Sequence, residues 1–339
     1  MTLSNDQLLY ILRDHGVSDV LNIKRTEPDA RSRATLTKID LCTKHNGVLS
    51  LLEKCTKSNG IPYENRIYKY FFTKEVSIPK VMFNEYDEAK GEGILLMVDL
   101  SSTHNNIADW KVPIDSGKLA NIIEVISQFH AVSWGSEELL VPKHLENVGE
   151  YLKHIDYLER DYLEFRRQQT YNLGEDHFRI YEQSLIGLRE NAQYHLDRIS
   201  SYRNITYIHG DLNVCNLLYP TTDHAKPVII DLEAVKVGLC TDDFVMLFVH
   251  DLFHGGEETF RIFDQYYRSL CAKIKNEYTY MQFVEDVRIS IMEGIFFPIK
   301  LLVHYGIKDE ELIWKSINAY NALVKNNIAS IHSKLGGFD

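Results

Sequence analysis

The sequence predicts an α+β chain with two unlike halves, a small antiparallel sheet followed by a larger, mainly helical part. Up to about residue 100, short segments alternate apolar and polar residues, the period of half-buried strands. Beyond about residue 105 the apolar residues recur at helical spacing instead. The expected division is therefore 1–100 and 101–339.

A helix is expected over 5–14, then strands over 20–25, 34–41, 48–54, 80–84 and 93–100, with one helical stretch at 63–72. In the second part "SGKLANIIEVISQFHAVSW", "DHFRIYEQSLIGLRENAQYHLDRI", "TFRIFDQYYRSLCAKI" and the tail from Asp309 carry helical periodicity. The clear strands there are short: 206–208 and 217–219 flank the segment "YIHGDLNVCNLLY", and the turn-rich "PTTDHAKP" leads to a third, "VIID".

Composition narrows the function classes. The 339 residues are 45% hydrophobic and 25% charged with net charge -11, long enough for a sizeable core. Without a block of basic residues there is no footprint for a phosphate backbone, so nucleic acid is not an expected partner. The N-terminus lacks the pattern of a signal peptide, and no apolar run reaches the ~18 residues of a membrane span. A cytoplasmic protein with no membrane association is expected. Five scattered cysteines without CxxC spacing read as reduced thiols rather than as disulfides or a zinc site.

The segment around residue 210 carries the chemistry. His209, Asp211 and Asn216 share one loop, and Asp231 closes the hairpin that follows, so the two aspartates can face one cavity. Phosphoryl transfer needs a carboxylate to orient a hydroxyl and take its proton, with an amide and a second carboxylate as magnesium ligands.

"HGDLNVCN" followed by "VIIDLE" resembles the paired signature of the aminoglycoside phosphotransferase and choline kinase superfamily, small-molecule kinases with the protein-kinase fold. Leu232 stands where that family has an aromatic residue. "ILLMVDL" is similar to the family's adenine-binding linker, "QFHAVSW" to its LAxFHA helix, and "YENRIYKYFFTKEVSIPKV" to a helix and strand of the ecdysteroid-kinase-like branch. "GLCTDDF" falls where the family braces its catalytic loop, which makes Asp243 the structural aspartate. The similarity touches most of residues 48–250.

The resemblance implies a bilobal protein-kinase-like fold and transfer of the ATP γ-phosphate to a small-molecule hydroxyl, with Mg2+. It implies Asp211 as catalytic carboxylate, His209 as the residue orienting its loop, and Asn216 and Asp231 as magnesium ligands. Lys54 would grip the nucleotide phosphates with Glu64 as its helix partner, Lys57 remaining an alternative. Val98 and Leu100 would supply backbone contacts to adenine, with Met97 near its edge. The loop "TEPDARSRA" departs from the protein-kinase pattern in having no glycine; Arg31, Ser32 and Arg33 are candidates for replacing its phosphate contacts.

The acceptor is not written in the motif. Net negative charge and the acids Glu233, Asp251, Glu257 and Glu258 suggest a cationic or neutral hydroxyl compound such as an aminoglycoside, an amino alcohol or a polyol. Other readings are a protein kinase, a nucleotide-binding regulatory pseudokinase and a metal-dependent hydrolase. Only eleven residues separate Asp231 from Asp243, too few for an APE-ended activation loop. A pseudokinase would be expected to lack one of Asp211, Asn216 and Asp231, and a hydrolase would use His209 and Asp211 without ATP. His130 reads as a packed core histidine, and His250, Asp251 and His254 as a structural helix face.

Overall fold

A computed structural model describes residues 2–30, 34–45, 47–57, 63–108, 115–139, 145–222, 226–252, 256–275 and 277–325. The chain opens with α1 (Asn5–Asp14), capped where Ser4 Oγ accepts from the Gln7 N–H and Gln7 Oε1 accepts from the Ser4 N–H. This reciprocal box satisfies two donors that a helix start otherwise leaves open. Strands β1 (Val20–Arg25), β2 (Asp29–Ala30), β3 (Ala34–Thr43) and β4 (Gly47–Lys57) follow, then α2 (Tyr63–Phe71), β5 (Val81–Asp87), β6 (Glu92–Val98) and the short β7 (His104–Asn106).

The main sheet has the order β1-β3-β4-β6-β5, with β2 attached to β3 and every pair antiparallel. The expected strands over 34–41 and 48–54 both run longer, because together they form one continuous ladder from Ala34↔Thr56 to Thr43↔Gly47. The strand expected over 93–100 stops at Val98. There the Asp99 carboxylate accepts from the Ser101 N–H (2.9 Å), a local turn that competes with the ladder.

Strand alternation gives the sheet two uses. Leu51 and Cys55 of β4 face α1 in a core with Leu8, Ile11, Leu12, Ile39, Leu41 and Leu96. Leu52 and Lys54, one step out of phase, face a cavity on the other side.

Next come α3 (Ser116–Ala131), α4 (Val148–Gln168), α5 (Glu175–Glu190) and α6 (Ala192–Ser200). One helix was expected across 176–199, but it breaks at Asn191, whose side-chain amide donates to the Gly187 carbonyl (2.9 Å). Strands β8 (Thr206–Ile208), β9 (Leu217–Pro220), β10 (Val228–Ile229) and β11 (Lys236–Gly238) precede α7 (Cys240–Val245), whose last turn widens into a π-helix over Met246–Asp251. Helices α8 (Gly256–Cys271), α9 (Tyr280–Gly294), α10 (Phe297–Tyr305) and α11 (Glu310–Ala319) follow, and a π-helical turn over Tyr320–Lys325 completes the described chain. Phe244, Phe248, Phe263, Tyr266 and Phe283 form the aromatic centre where α7, α8 and α9 meet.

Two compact units result, Met1–Ile107 with Cys215–Ala234, and Ala108–Val214 with Val235–Asp339. The first boundary thus falls at Ile107 rather than at 100, and 215–234 returns to the first unit instead of staying with the helices. The cause is β9, which pairs with β7 on one side and with β10 on the other. Among the described residues no helix is long and apolar enough to cross a membrane.

Candidate active site

In the first unit a cavity of about 750 Å3 lies against β4, α2, the residues after β6, and the β7-β9-β10 sheet. Leu36, Leu52, Leu218 and Ile230 give it apolar walls. Met97, Val98 and Leu100 line one end. The Val98 N–H already donates to the Lys80 carbonyl (2.9 Å), so a contact from Val98 to a ligand must come through its own carbonyl. Asp99 fixes this segment by an ion pair with Lys38 of β3 (2.8 Å). Burial works against the Asp99 charge, yet Lys38 and the Ser101 donors hold its carboxyl below the usual range.

The other end is charged. Lys54 Nζ donates to Glu64 Oε1 of α2 (2.9 Å) and to Asp231 Oδ1 (3.0 Å), with Glu233 Oε2 at 3.8 Å. Burial opposes the Lys54 charge, but Glu64 and Asp231 outweigh it and raise the pKa. The Glu64 pKa is raised too, because burial and the carboxylates of Asp231 and Glu233 exceed what Lys54 alone compensates. Three carboxylates around one ammonium leave this corner with excess negative charge.

Asn216 and Asp231 both line that end. Their proximity follows from register: β9 and β10 pair Leu217 with Ile229, and the Ile230 N–H donates to the Asn216 carbonyl (3.0 Å). Asp231 has φ +63°, in the left-handed region that aspartate tolerates better than most residues. Such conformations persist where the surroundings enforce them, often at functional sites.

The catalytic-loop candidates His209 and Asp211 belong to the second unit. β8 pairs with β11 and delivers the chain to His209, which is fully buried. The buried Asp243 carboxylate accepts from the His209 N–H (2.5 Å) and the Gly210 N–H (2.8 Å), and meets His130 Nε2 at 3.0 Å. Burial alone would raise its pKa, but the His130 and His209 donors hold it below the usual range. Gly210 has φ +77°, a turn best suited to glycine. His209 Nδ1 accepts from the Asp211 N–H (3.3 Å), and Asp211 Oδ1 accepts from Asn213 Nδ2 (3.1 Å).

Asp251 closes the loop by accepting from the Val214 N–H (2.8 Å). Asp251, expected on a helix face near the acceptor, is instead this brace, which no local pattern reveals because the two residues are 37 positions apart. His130 is a hydrogen-bonded core histidine as expected, its Nδ1 lying 2.6 Å from Tyr266 Oη. His250 is buried against Phe297 and burial lowers its pKa to about 4, so it is neutral near pH 7. Arg31, Ser32, Arg33 and His254, and the side chains of Lys57, Glu257 and Glu258, lie outside the described residues.

The family model for ecdysteroid kinase-like proteins matches residues 58–276. No curated protein sequence matches the chain. Among solved structures, a proposed aminoglycoside phosphotransferase from Ralstonia eutropha JMP134 superposes with a TM-score of 0.58 at 14% identity, covering 95% of this chain and 98% of its own. The aminoglycoside phosphotransferase APH(4)-Ia gives a TM-score of 0.51 at 10% identity, covering 95% and 99%. These likenesses carry the fold, a small antiparallel sheet with a large helical part, and the sequence match carries the lineage. The chain belongs to the ecdysteroid kinase-like family.

Proposed function

We propose that this chain is an ATP- and magnesium-dependent phosphotransferase that moves the γ-phosphate to a hydroxyl of a small molecule. The observation that carries the reading is the Lys54–Glu64–Asp231 cluster at one end of a cavity whose other end is the Met97–Leu100 segment. An apolar slot with a backbone edge at one end and a buried lysine at the other suits a purine nucleotide.

In this reading the Val98 carbonyl and Leu100 contact adenine beside Met97, and Lys54, held straight by Glu64, binds phosphate oxygens. Asn216 and Asp231 are the magnesium ligands. The donor set fits: one carboxylate and one amide line the cavity within an excess of negative charge, and magnesium takes its other ligands from phosphate and water. Among the described residues no group of three or more His, Cys, Asp or Glu converges as a metal site. Bound magnesium supplies charge neutralisation on the phosphates.

Asp211 would orient the acceptor hydroxyl and take its proton as the oxygen attacks the γ-phosphorus and ADP leaves. His209 sets the backbone of that loop through its bond with the Asp211 N–H. The family's lineage and the related aminoglycoside phosphotransferases support a small acceptor such as an aminoglycoside or an amino alcohol. Calorimetric titration of ATP with and without magnesium tests the nucleotide half of the reading. Affinity should depend strongly on the cation, and equal binding in its absence contradicts the assignment.

A further inference from the structure

We propose that His104 recognises the ribose of the nucleotide, its Nε2 accepting a hydrogen bond from a sugar hydroxyl; this rests on reading the first-unit cavity as the nucleotide site. His104 forms part of the cavity wall. Its Nε2 is buried and has no hydrogen-bond partner. A buried polar atom left unsatisfied is costly, and a bound ligand that offers a donor removes the cost.

The neighbours of the ring define what that donor meets. The Thr103 hydroxyl donates to the Leu100 carbonyl (3.3 Å) and lies 2.9 Å from His104 Nδ1. Assigning the hydroxyl proton to the Leu100 carbonyl puts the ring's own proton on Nδ1 for the second contact. In the neutral imidazole Nε2 then carries the lone pair and acts as an acceptor.

Position selects the sugar among the groups a nucleotide offers. A tight turn, with the His104 N–H donating to the Leu100 carbonyl (2.9 Å), starts β7 at the adenine end. Two residues on, Asn106 Nδ2 donates to the Cys215 carbonyl (3.0 Å), next to the metal ligand Asn216. β7 thus spans from the base end to the phosphate end. The part of a nucleotide between base and phosphates is the ribose, whose hydroxyls are donors.

The test is calorimetry of wild type, His104→Phe and His104→Gln with Mg-ADP, Mg-2′-deoxy-ADP and Mg-3′-deoxy-ADP, with melting temperatures measured on the same samples. Wild type should bind one deoxy analogue about fivefold or more weaker than ADP, the size of one lost hydrogen bond. His104→Phe should lose that discrimination, binding ADP and that analogue alike, while His104→Gln, which keeps an acceptor, restores part of it. Equal weakening of all three ligands by His104→Phe would mean a packing role and overturn the proposal, as would unchanged discrimination. If wild type binds no adenine nucleotide, the reading of the cavity falls and this proposal with it. If it binds ADP with discrimination independent of residue 104, this proposal alone falls.

Discussion

Lys54 Nζ lies 3.0 Å from Asp231 Oδ1, although 177 positions separate the two residues in the chain. The lysine comes from the middle of β4, and the aspartate from the end of the hairpin that pairs with β7. Their meeting gives the first unit a charged corner that neither segment would form alone.

Replacing Lys54 therefore has two separable effects. Lys54→Met leaves Glu64 buried beside two further carboxylates, which should cost about 3 kcal/mol of stability and weaken Mg-ATP binding at least about tenfold. The double variant Lys54→Met/Glu64→Met should recover much of the melting temperature without recovering nucleotide affinity. Recovery of both would mean that the pair serves stability alone.

Asp231→Asn keeps the shape of the side chain but removes its charge. A neutral amide is a poorer ligand for a hard cation, so the magnesium dependence of ATP binding should shrink and turnover should fall with it. Titrations with and without magnesium, compared with wild type, check this. An unchanged magnesium dependence would place the cation elsewhere.

Asp243 holds the His209 and Gly210 N–H groups and His130 with one buried carboxylate. Asp243→Ala leaves all three donors without their acceptor and should lower stability by about 3 kcal/mol or more, with Asp243→Asn milder. Chemical denaturation measures the loss. A change under about 0.5 kcal/mol would show that the loop does not depend on this brace.

A half-buried polar cluster in the second unit predicts a pH response. Burial, aided by the nearby Glu293 charge, pushes Asp242 up to about 7. Burial opposes a charged His154, but its bond to Glu293 (3.1 Å) raises its pKa overall. Both groups have folded values above their ordinary values of 3.8 and 6.5, so the stability they contribute is present at low pH and lost as pH rises through the folded values. Glu293, lowered by His154 and Lys236 against the effect of burial, acts oppositely, but its contribution is fully present above its ordinary value of 4.5 and is lost only as pH falls below that. The melting temperature should therefore fall between about pH 5 and about pH 7, where Asp242 loses its proton only on unfolding, and fall less in Asp242→Asn. Parallel curves for the two proteins would contradict this.

Cys215 is exposed and lines the first-unit cavity, while Cys55 and Cys240 are buried with burial raising their pKa. Iodoacetamide should label Cys215 and the exposed Cys42, and saturating Mg-ATP should slow labelling of Cys215 only. Peptide mapping by mass spectrometry reads both sites in one experiment. Equal rates at Cys215 with and without nucleotide would place ATP outside the cavity.

Much of the fold was legible because its signals are local. The capping residues of α1, the alternation of β3 and β4, and the apolar spacing of α3 each depend on a few neighbouring residues. The loop bearing Asp211 and the hairpin ending in Asp231 were legible as a motif. What was missed is non-local or too short to have a period. β7 has three residues and exists because β9 pairs with it; Asp251 braces Val214 across a gap in sequence; and the Asp99–Lys38 ion pair joins the end of one strand to the middle of another. His104 could not be singled out from the sequence, since its unsatisfied nitrogen is a property of the folded wall.

The most direct test of phosphoryl transfer compares wild type with Asp211→Asn in a mass-spectrometric screen for phosphorylated products, using ATP, magnesium and a library of hydroxylated amines and polyols. Wild type should convert at least one acceptor with stoichiometric ADP. Asp211→Asn should remain folded and bind ATP within about tenfold of wild type, while turnover of that acceptor falls by ~10² to 10⁴, the usual contribution of a general base. A folded, ATP-binding Asp211→Asn protein that turns over at nearly the wild-type rate would contradict the account, as would a wild-type protein that binds Mg-ATP yet phosphorylates no hydroxyl compound in the library.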